Sequence, residues 1–293
     1  MAFNPNAIWL SPSSLSDFTK CPQLYYYRSI FRTERGLKLQ IINPSLALGQ
    51  SVHETLNFFV KLPPADRTKD KLFSQFQFYW GMVRGEKGGF NSPEEEKEFE
   101  DRAISMLERF FLNKHFIEAE MPKIPDFPKV DLGNDLILTG KLDWLEKEGD
   151  GYHLIDFKTG KNEERDDSLQ LPIYAALVNG LFKTDKIRAS YWYLDKEGDL
   201  VDFKLPELAS TIEHLKRMGE IIKMVKKTNS FHCQSGNESC WACKDMLAVA
   251  EGGGKLVNMD PVNRKQEIYI LQKKENTLPQ PPEIESTPES LPF

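Results

Sequence analysis

Gly140-Lys141-Leu142-Asp143, followed after a short run by Tyr152-His153-Leu154-Ile155-Asp156-Phe157-Lys158-Thr159-Gly160, is the stretch on which the reading of this chain turns. Leu136 to Glu146 and Tyr152 to Lys158 are rich in branched and aromatic residues, with turn chemistry in Glu148-Gly149-Asp150-Gly151 between them. The pattern predicts a β-hairpin. With Asp150-Gly151 as a two-residue turn, paired positions sum to 301, so Asp143 faces Lys158 and Leu145 faces Asp156. A four-residue loop keeps the same parity. Paired residues share a face, as do residues two apart on one strand, which places Asp143, Asp156 and Lys158 on one side of the ribbon.

Carboxylates at diagonal Cβ spacing of about 7–8 Å can reach inward to share a hard cation, with oxygen ligands at about 2.0–2.1 Å for Mg²⁺. Such an ion polarises a phosphodiester oxygen and lowers the pKa of a bound water, while Lys158 orients that water or offsets developing charge. An isolated D-x-K is equally well a surface ion pair worth about 0–1 kcal/mol. The surrounding order decides between the two. Gly49-Gln50-Ser51-Val52-His53, Gly140-Lys141-Leu142-Asp143, Asp156-Phe157-Lys158-Thr159-Gly160 and Gln170-Leu171-Pro172-Ile173-Tyr174 follow one another along the chain.

That order resembles the RecB-like branch of the PD-(D/E)XK nucleases, which carry a G-x-x-x-H helix, an Asp ending a G-x-x-D strand, D-x-K followed by Thr-Gly, and Q-x-x-x-Y on a helix. The likeness covers roughly residues 10 to 245. It implies an α/β (α+β) fold, with a restriction-endonuclease-like mixed central sheet flanked by helices. It further implies a metal-dependent DNA nuclease, an exonuclease, in DNA repair, recombination or CRISPR-type DNA processing. By resemblance His53, Asp143, Asp156 and the carbonyl of Phe157 bind Mg²⁺ or Mn²⁺, Lys158 assists the attacking water, and Gln170 and Tyr174 position the strand. A Glu at 118 or 120 would support the metal. The implied partners are DNA, single-stranded or with free ends, and a helicase or CRISPR integrase. The alternative is a catalytically silent DNA-binding or assembly subunit of the same fold; an RNA-directed enzyme is a third reading.

At 293 residues, 40% apolar and 28% charged, the chain can bury a core of ordinary globular composition. It has no run of 18 apolar residues and no signal-peptide pattern at its start, so a cytoplasmic location without membrane contact is expected. The formal charge of -6 argues mildly against a nucleic-acid binder, but residues 275 to 293 carry four Glu and no Lys or Arg. Local patches, rather than net charge, govern binding.

Along the chain, Ser11-Pro12-Ser13-Ser14 caps a helix that Cys21-Pro22 kinks or splits, followed by Tyr25-Tyr26-Tyr27 and Arg28, Arg32 and Arg35. Aromatics interleaved with arginines can stack bases, although packing in a core is the commoner use. Leu46 to Lys61 reads as a helix with Gly49 and His53 on one face, the glycine allowing another backbone to approach; alone, such a His is more often packed than ligating. Ala65 to Val83 and the Ser92-capped stretch that follows give a helical insertion, 62–115. Ile117 to Lys123 reads as a short or edge strand, broken by prolines. Ser168 is expected to cap Leu169 to Phe182, before a hairpin over Ala189 to Leu205 and a helix from Leu208 to Lys227. The expected organisation is an N-terminal helical segment, 1–45; a nuclease core, 46–205; a helix and cysteine clasp, 206–250; a short extension, 251–274, with a strand near Glu267 to Gln272; and a disordered Pro/Glu-rich tail, 275–293.

Cys21 stands near the start, Cys233, Cys240 and Cys243 near the end. Clustered thiols in a cytosolic chain suggest metal rather than disulfides. The one-plus-three layout resembles the clasp of AddB and of the CRISPR-associated RecB-like nuclease, where such cysteines hold a four-iron four-sulfur cluster; here the long gap, Cys233-x6-Cys240, precedes C-x2-C. Zinc on the same thiolates, with His232 able to replace one, is the alternative; a Cys240-Cys243 redox pair and unrelated buried thiols rank lower.

Overall fold

The computed structural model describes residues 7–236, 240–260 and 264–272. Strand β1 (Ile8–Leu10) leads into α1 (Pro12–Lys20), whose cap Ser11 accepts from Ser14 N–H while the Ser14 hydroxyl accepts from Ser11 N–H. The helix breaks at Cys21, and α2 (Pro22–Tyr25) continues into a π-helical turn over Tyr26–Ile30. Tyr25 and Tyr27 are buried, so the core reading holds for both. Strand β2 (Lys38–Ile41) precedes α3 (Pro44–Phe59), the His53 helix, capped by the Asn43 side chain.

The expected helix over Ala65 to Val83 begins instead as a 3-10 turn at Pro64–Asp66, and α4 (Lys69–Gly81) starts only where Thr68 caps it. Next come α5 (Pro93–Leu112), capped by Ser92, and α6 (Lys114–Glu118). The strand expected over Ile117 to Lys123 is not formed. Asn113 caps α6 through His115 N–H at 3.1 Å, and the prolines after it supply no ladder donors.

Leu136 to Glu146 is not one strand. It divides into β4 (Leu136–Thr139), paired with β3 (Lys129–Gly133) and with β1, and β5 (Trp144–Glu148), paired with β6 (Gly151–Lys158) in another sheet. The β5–β6 register pairs Trp144 with Ile155 and closes on Glu148 and Gly151, so paired positions sum to 299 rather than 301. The two-residue turn is therefore Gly149-Asp150, one step earlier, with Gly149 at φ 58° in its first position. Leu145 faces Leu154 rather than Asp156, and the ladder stops at Trp144, one residue short of Asp143, which a pairing sum of 299 would set opposite Asp156 and not Lys158. The odd sum preserves the face, so the expectation of one side survives the shift.

After α7 (Gln170–Phe182), β7 (Ile187–Tyr193) joins β6 in parallel and β8 (Val201–Phe203) joins β7 antiparallel, giving a mixed sheet in the order β5-β6-β7-β8. One face, carrying Trp144, Ile155, Phe157 and Trp192, packs on α3 to α6, where the Phe116 ring stacks on Trp192 at 4.7 Å. The other face, with Leu145, Leu154 and Tyr191, packs on α7, α8 (Leu208–Thr228) and the β1-β4-β3 sheet. Beyond α9 (Lys244–Ala248), β9 (Gly254–Asp260) and β10 (Gln266–Leu271) form a hairpin, and β10 pairs in parallel with β2. This is the restriction-endonuclease-like arrangement of a mixed sheet between helices. No helix among the described residues is long and apolar enough to cross a membrane. The tail expected over 275–293 lies outside the described residues.

Candidate active site

Four elements meet at the end of β6. Alternation along β6 turns Ile155 and Phe157 into the aromatic core and sends Asp156 and Lys158 to the α7 face. Phe157 thus reaches the site only through its backbone, and its N–H donates to Asp143 Oδ2 at 3.0 Å. Asp143 Oδ1 lies 3.1 Å from His53 Nδ1, joining α3 to the start of β5. On the other side Gln170, in the first turn of α7, spans the D-x-K pair: its Nε2 donates to Asp156 Oδ1 at 2.7 Å, and its Oε1 accepts from Lys158 Nζ at 2.6 Å. Tyr174, one turn on, places its hydroxyl 3.4 Å from Gln170 Nε2.

Two motif glycines are explained by what a methyl group would meet. At Gly140 an added Cβ would lie 2.8 Å from Tyr174 Cε1, and at Gly49 it would lie 3.2 Å from Thr159 Oγ1. The glycine of G-x-x-D admits the tyrosine of Q-x-x-x-Y, and the glycine of G-x-x-x-H admits the threonine after D-x-K. The approach at Gly49 is by a side chain rather than by the expected backbone.

The electrostatics divide the two carboxylates. Asp156 is 1% exposed, and burial first, then the nearby Asp143, push its pKa up to about 7 against the pull of Lys158. For Asp143 burial also acts upwards, but His53, the Phe157 N–H and Lys158 outweigh it, and its pKa is lowered. Burial works against the His53 cation, yet Asp143 and Asp156 hold its pKa above the usual value. Lys158 is likewise raised despite burial, because Asp156 Oδ2 at 3.0 Å and Glu164 Oε1 at 3.1 Å favour the ammonium. Burial raises the Tyr174 phenol and keeps it neutral.

Asp156 Oδ2 is buried, with the Lys158 ammonium 3.0 Å away as its partner. With Asp143 and the imidazole of His53 beside a cavity of about 500 Å³, the donor set suits an oxygen-seeking divalent ion. Neither Glu118 nor Glu120 lines this cavity; both are exposed, and Glu120 acts on Arg67. Sequence reasoning missed Glu164, the third partner of Lys158, and a bar in which Glu54 accepts from Lys141 Nζ at 3.0 Å and from Arg264. Adjacency to His53 and Asp143 was the available signal for Glu54 and Lys141; nothing marked Arg264.

Cys21, Cys233, Cys240 and Cys243 present thiols within 4.8 Å of one another, across 222 positions of sequence. Backbone N–H groups of Cys243 and Ala242 lower the Cys240 pKa to about 7, whereas burial raises those of Cys243 and Cys21. Such a set of four sulfur donors can bind a metal.

Among solved structures the chain is similar to the protein of "Crystal structure of SSO0001", at 14% identity over 69% of this chain and 92% of that one, with a TM-score of 0.31, too low to carry an argument. No curated protein matches the chain. The model of the PD-(D/E)XK nuclease superfamily matches residues 9–244, a span that contains the His53, Asp143, Asp156-Lys158 and Gln170-Tyr174 motifs and all four cysteines. This protein belongs to the PD-(D/E)XK nuclease superfamily.

Proposed function

We propose that the chain is a metal-dependent deoxyribonuclease of the RecB-like type, an exonuclease acting on DNA with free ends in repair, recombination or CRISPR-type processing. One observation carries the reading: Asp143 and Asp156, from different motifs, line one cavity together with His53, and the Asp156 carboxylate is buried there. A divalent ion, Mg²⁺ or Mn²⁺, held by Asp143, Asp156, His53 and the Phe157 carbonyl would polarise the scissile phosphate and acidify the attacking water. Lys158 keeps its proton, since Asp156 and Glu164 raise its pKa, so it serves as a cation that orients water and offsets charge rather than as a general base. Gln170 fixes the spacing of Asp156 and Lys158, and Tyr174 fixes Gln170.

The test is cleavage of end-labelled linear DNA and closed circular DNA in Mg²⁺ and Mn²⁺. Asp156→Ala and Lys158→Ala should each abolish degradation of linear DNA while circular dichroism is unchanged. Full activity in both variants would place the chemistry elsewhere, and cutting of the circle would make the enzyme an endonuclease. The cysteines extend the reading: four thiolates of this layout suit a four-iron four-sulfur cluster, or else Zn²⁺. Visible absorbance with iron, sulfide and zinc content of an anaerobic preparation decides between them.

A further inference from the structure

A second cavity, of about 960 Å³, adjoins the site cavity and shares Gln40, Glu54, Lys141 and Arg264 with it. Its walls come from β1, α1, the π-helical turn, β2, α3 and the end of α8, together with the Asp126-Phe127 loop. Seven basic side chains line it against three carboxylates, in a protein whose formal net charge is -6. The acids are engaged: Asp17 with Arg28 at 2.8 Å, Asp126 with Lys61 at 2.9 Å, and Glu54 with both Lys141 and Arg264. That leaves Arg32, Lys38 and Lys226 as the excess. Arg32 is pinned, since its Nη1 donates to the carbonyls of Ser29, Ile30 and Phe31 at 2.7–3.0 Å. Burial and Arg32 together lower the pKa of Lys38, which marks two cations set side by side. Phe127, 85% exposed, and Trp9, 43% exposed, stand among these charges.

We infer that this groove is a track for single-stranded DNA: Arg32, Lys38 and Lys226 hold backbone phosphates, Trp9 and Phe127 stack unpaired bases, and the strand passes the Lys141-Glu54-Arg264 bar into the site. The inference rests on the nuclease reading for what happens beyond the bar, but the track can be tested without cleavage. Fixed cations follow a backbone of any sequence, and exposed rings can stack only on bases whose faces are free. A duplex offers no such faces along its length, which selects the single strand. The bar itself retains one net positive charge beside Asp143, so a phosphate arriving from the groove is attracted up to the carboxylates.

The experiment is fluorescence anisotropy of labelled oligo(dT), and of a duplex of equal length, titrated with full-length protein in EDTA over a range of salt. Each phosphate contact on a single strand contributes about 0.7 to the slope of log K against log salt. Lys38→Ala with Lys226→Ala should therefore flatten the slope by about 1.4 and weaken oligo(dT) binding at least tenfold at low salt. Trp9→Ala should weaken it about tenfold with the slope unchanged. Unaltered thermal melting shows that the variants are folded. Wild-type affinity and slope in the folded double variant would overturn the track, as would a duplex bound as tightly as oligo(dT). Cleavage by the wild type alongside unaffected binding in the variants sinks the track alone. Salt-dependent binding lost in the variants, with no cleavage in any divalent ion, supports the track and sinks the nuclease reading.

Discussion

Replacing Gly140 by alanine isolates one contact between two motifs. The φ of Gly140 lies outside the left-handed region, so an alanine there carries no backbone strain. Its methyl would meet Tyr174 Cε1 at 2.8 Å and Cδ1 at 3.2 Å, while Leu177 Cδ2 at 3.7 Å is an ordinary contact. The ring is 7% exposed, with Gln170 on one side, and has little room to retreat. Overpacking of this kind costs about 1–3 kcal/mol. At about 2–4 °C of Tm per kcal/mol for a protein of this size, the melting temperature should fall by roughly 2–12 °C. Because the obstruction is the ring edge, Tyr174→Leu should absorb it: Gly140→Ala in that background should be nearly neutral, a coupling of about 1–3 kcal/mol in a double-mutant cycle followed by urea denaturation. Gly149→Ala is the control. Gly149 has φ 58° with open space around it, so its cost of about 1–2 kcal/mol comes from the backbone and should add to that of Tyr174→Leu. If Gly140→Ala is equally harmful in both backgrounds, or harmless in the native one, the proposed fit of glycine to tyrosine is wrong.

Other outcomes follow from the same geometry. Gln170→Ala removes two bonds to charged groups, each worth about 1.5–3 kcal/mol, and should slow cleavage at least tenfold; Gln170→Glu should not rescue the rate, since a carboxylate there repels Asp156. Glu146, held by His153, Trp144 and His115 against the upward push of burial, has its pKa lowered to about 2 from 4.5. Its stabilisation, about 3 kcal/mol, is fully present above about pH 4.5 and lost as pH falls towards 2, so native and Glu146→Gln proteins should differ in urea midpoint at pH 7 and converge near pH 2. Arg67 is buried and donates to the carbonyls of Val60, Leu62, Phe116, Ile117 and Ala119. Arg67→Lys cannot reproduce that fork and should cost about 3 kcal/mol or more in chemical denaturation.

The convergence of His53, Asp143, Asp156, Lys158, Gln170 and Tyr174 was readable because these residues sit in short local patterns, and because strand parity survives an error of two in the pairing sum. The placement of Asp143 with Asp156 needed only that parity. The strand expected near Ile117 was out of reach: its apolar residues fit a short helix equally well, and the Asn113 cap decides in favour of the helix. The division of Leu136 to Glu146 between two sheets was hidden for a related reason. Gly140 reads locally as part of a strand, and its close approach to Tyr174 is a contact between distant parts of the sequence that no local pattern shows. Arg264 carries no local signal at all, since its partner Glu54 is 210 positions away.

The pairing of β2 with β10 has a consequence for synthesis. Lys38 must wait for Gln266, and Cys21 for Cys243, so neither closure can form until more than 220 further residues have been made. At about 5–20 residues per second that delay is roughly 10–45 s. Throughout it β2 has an unsatisfied edge open to neighbouring nascent chains. Crowded polysomes are therefore where this protein is most exposed to misassembly, and the arrival of β10 ends that exposure.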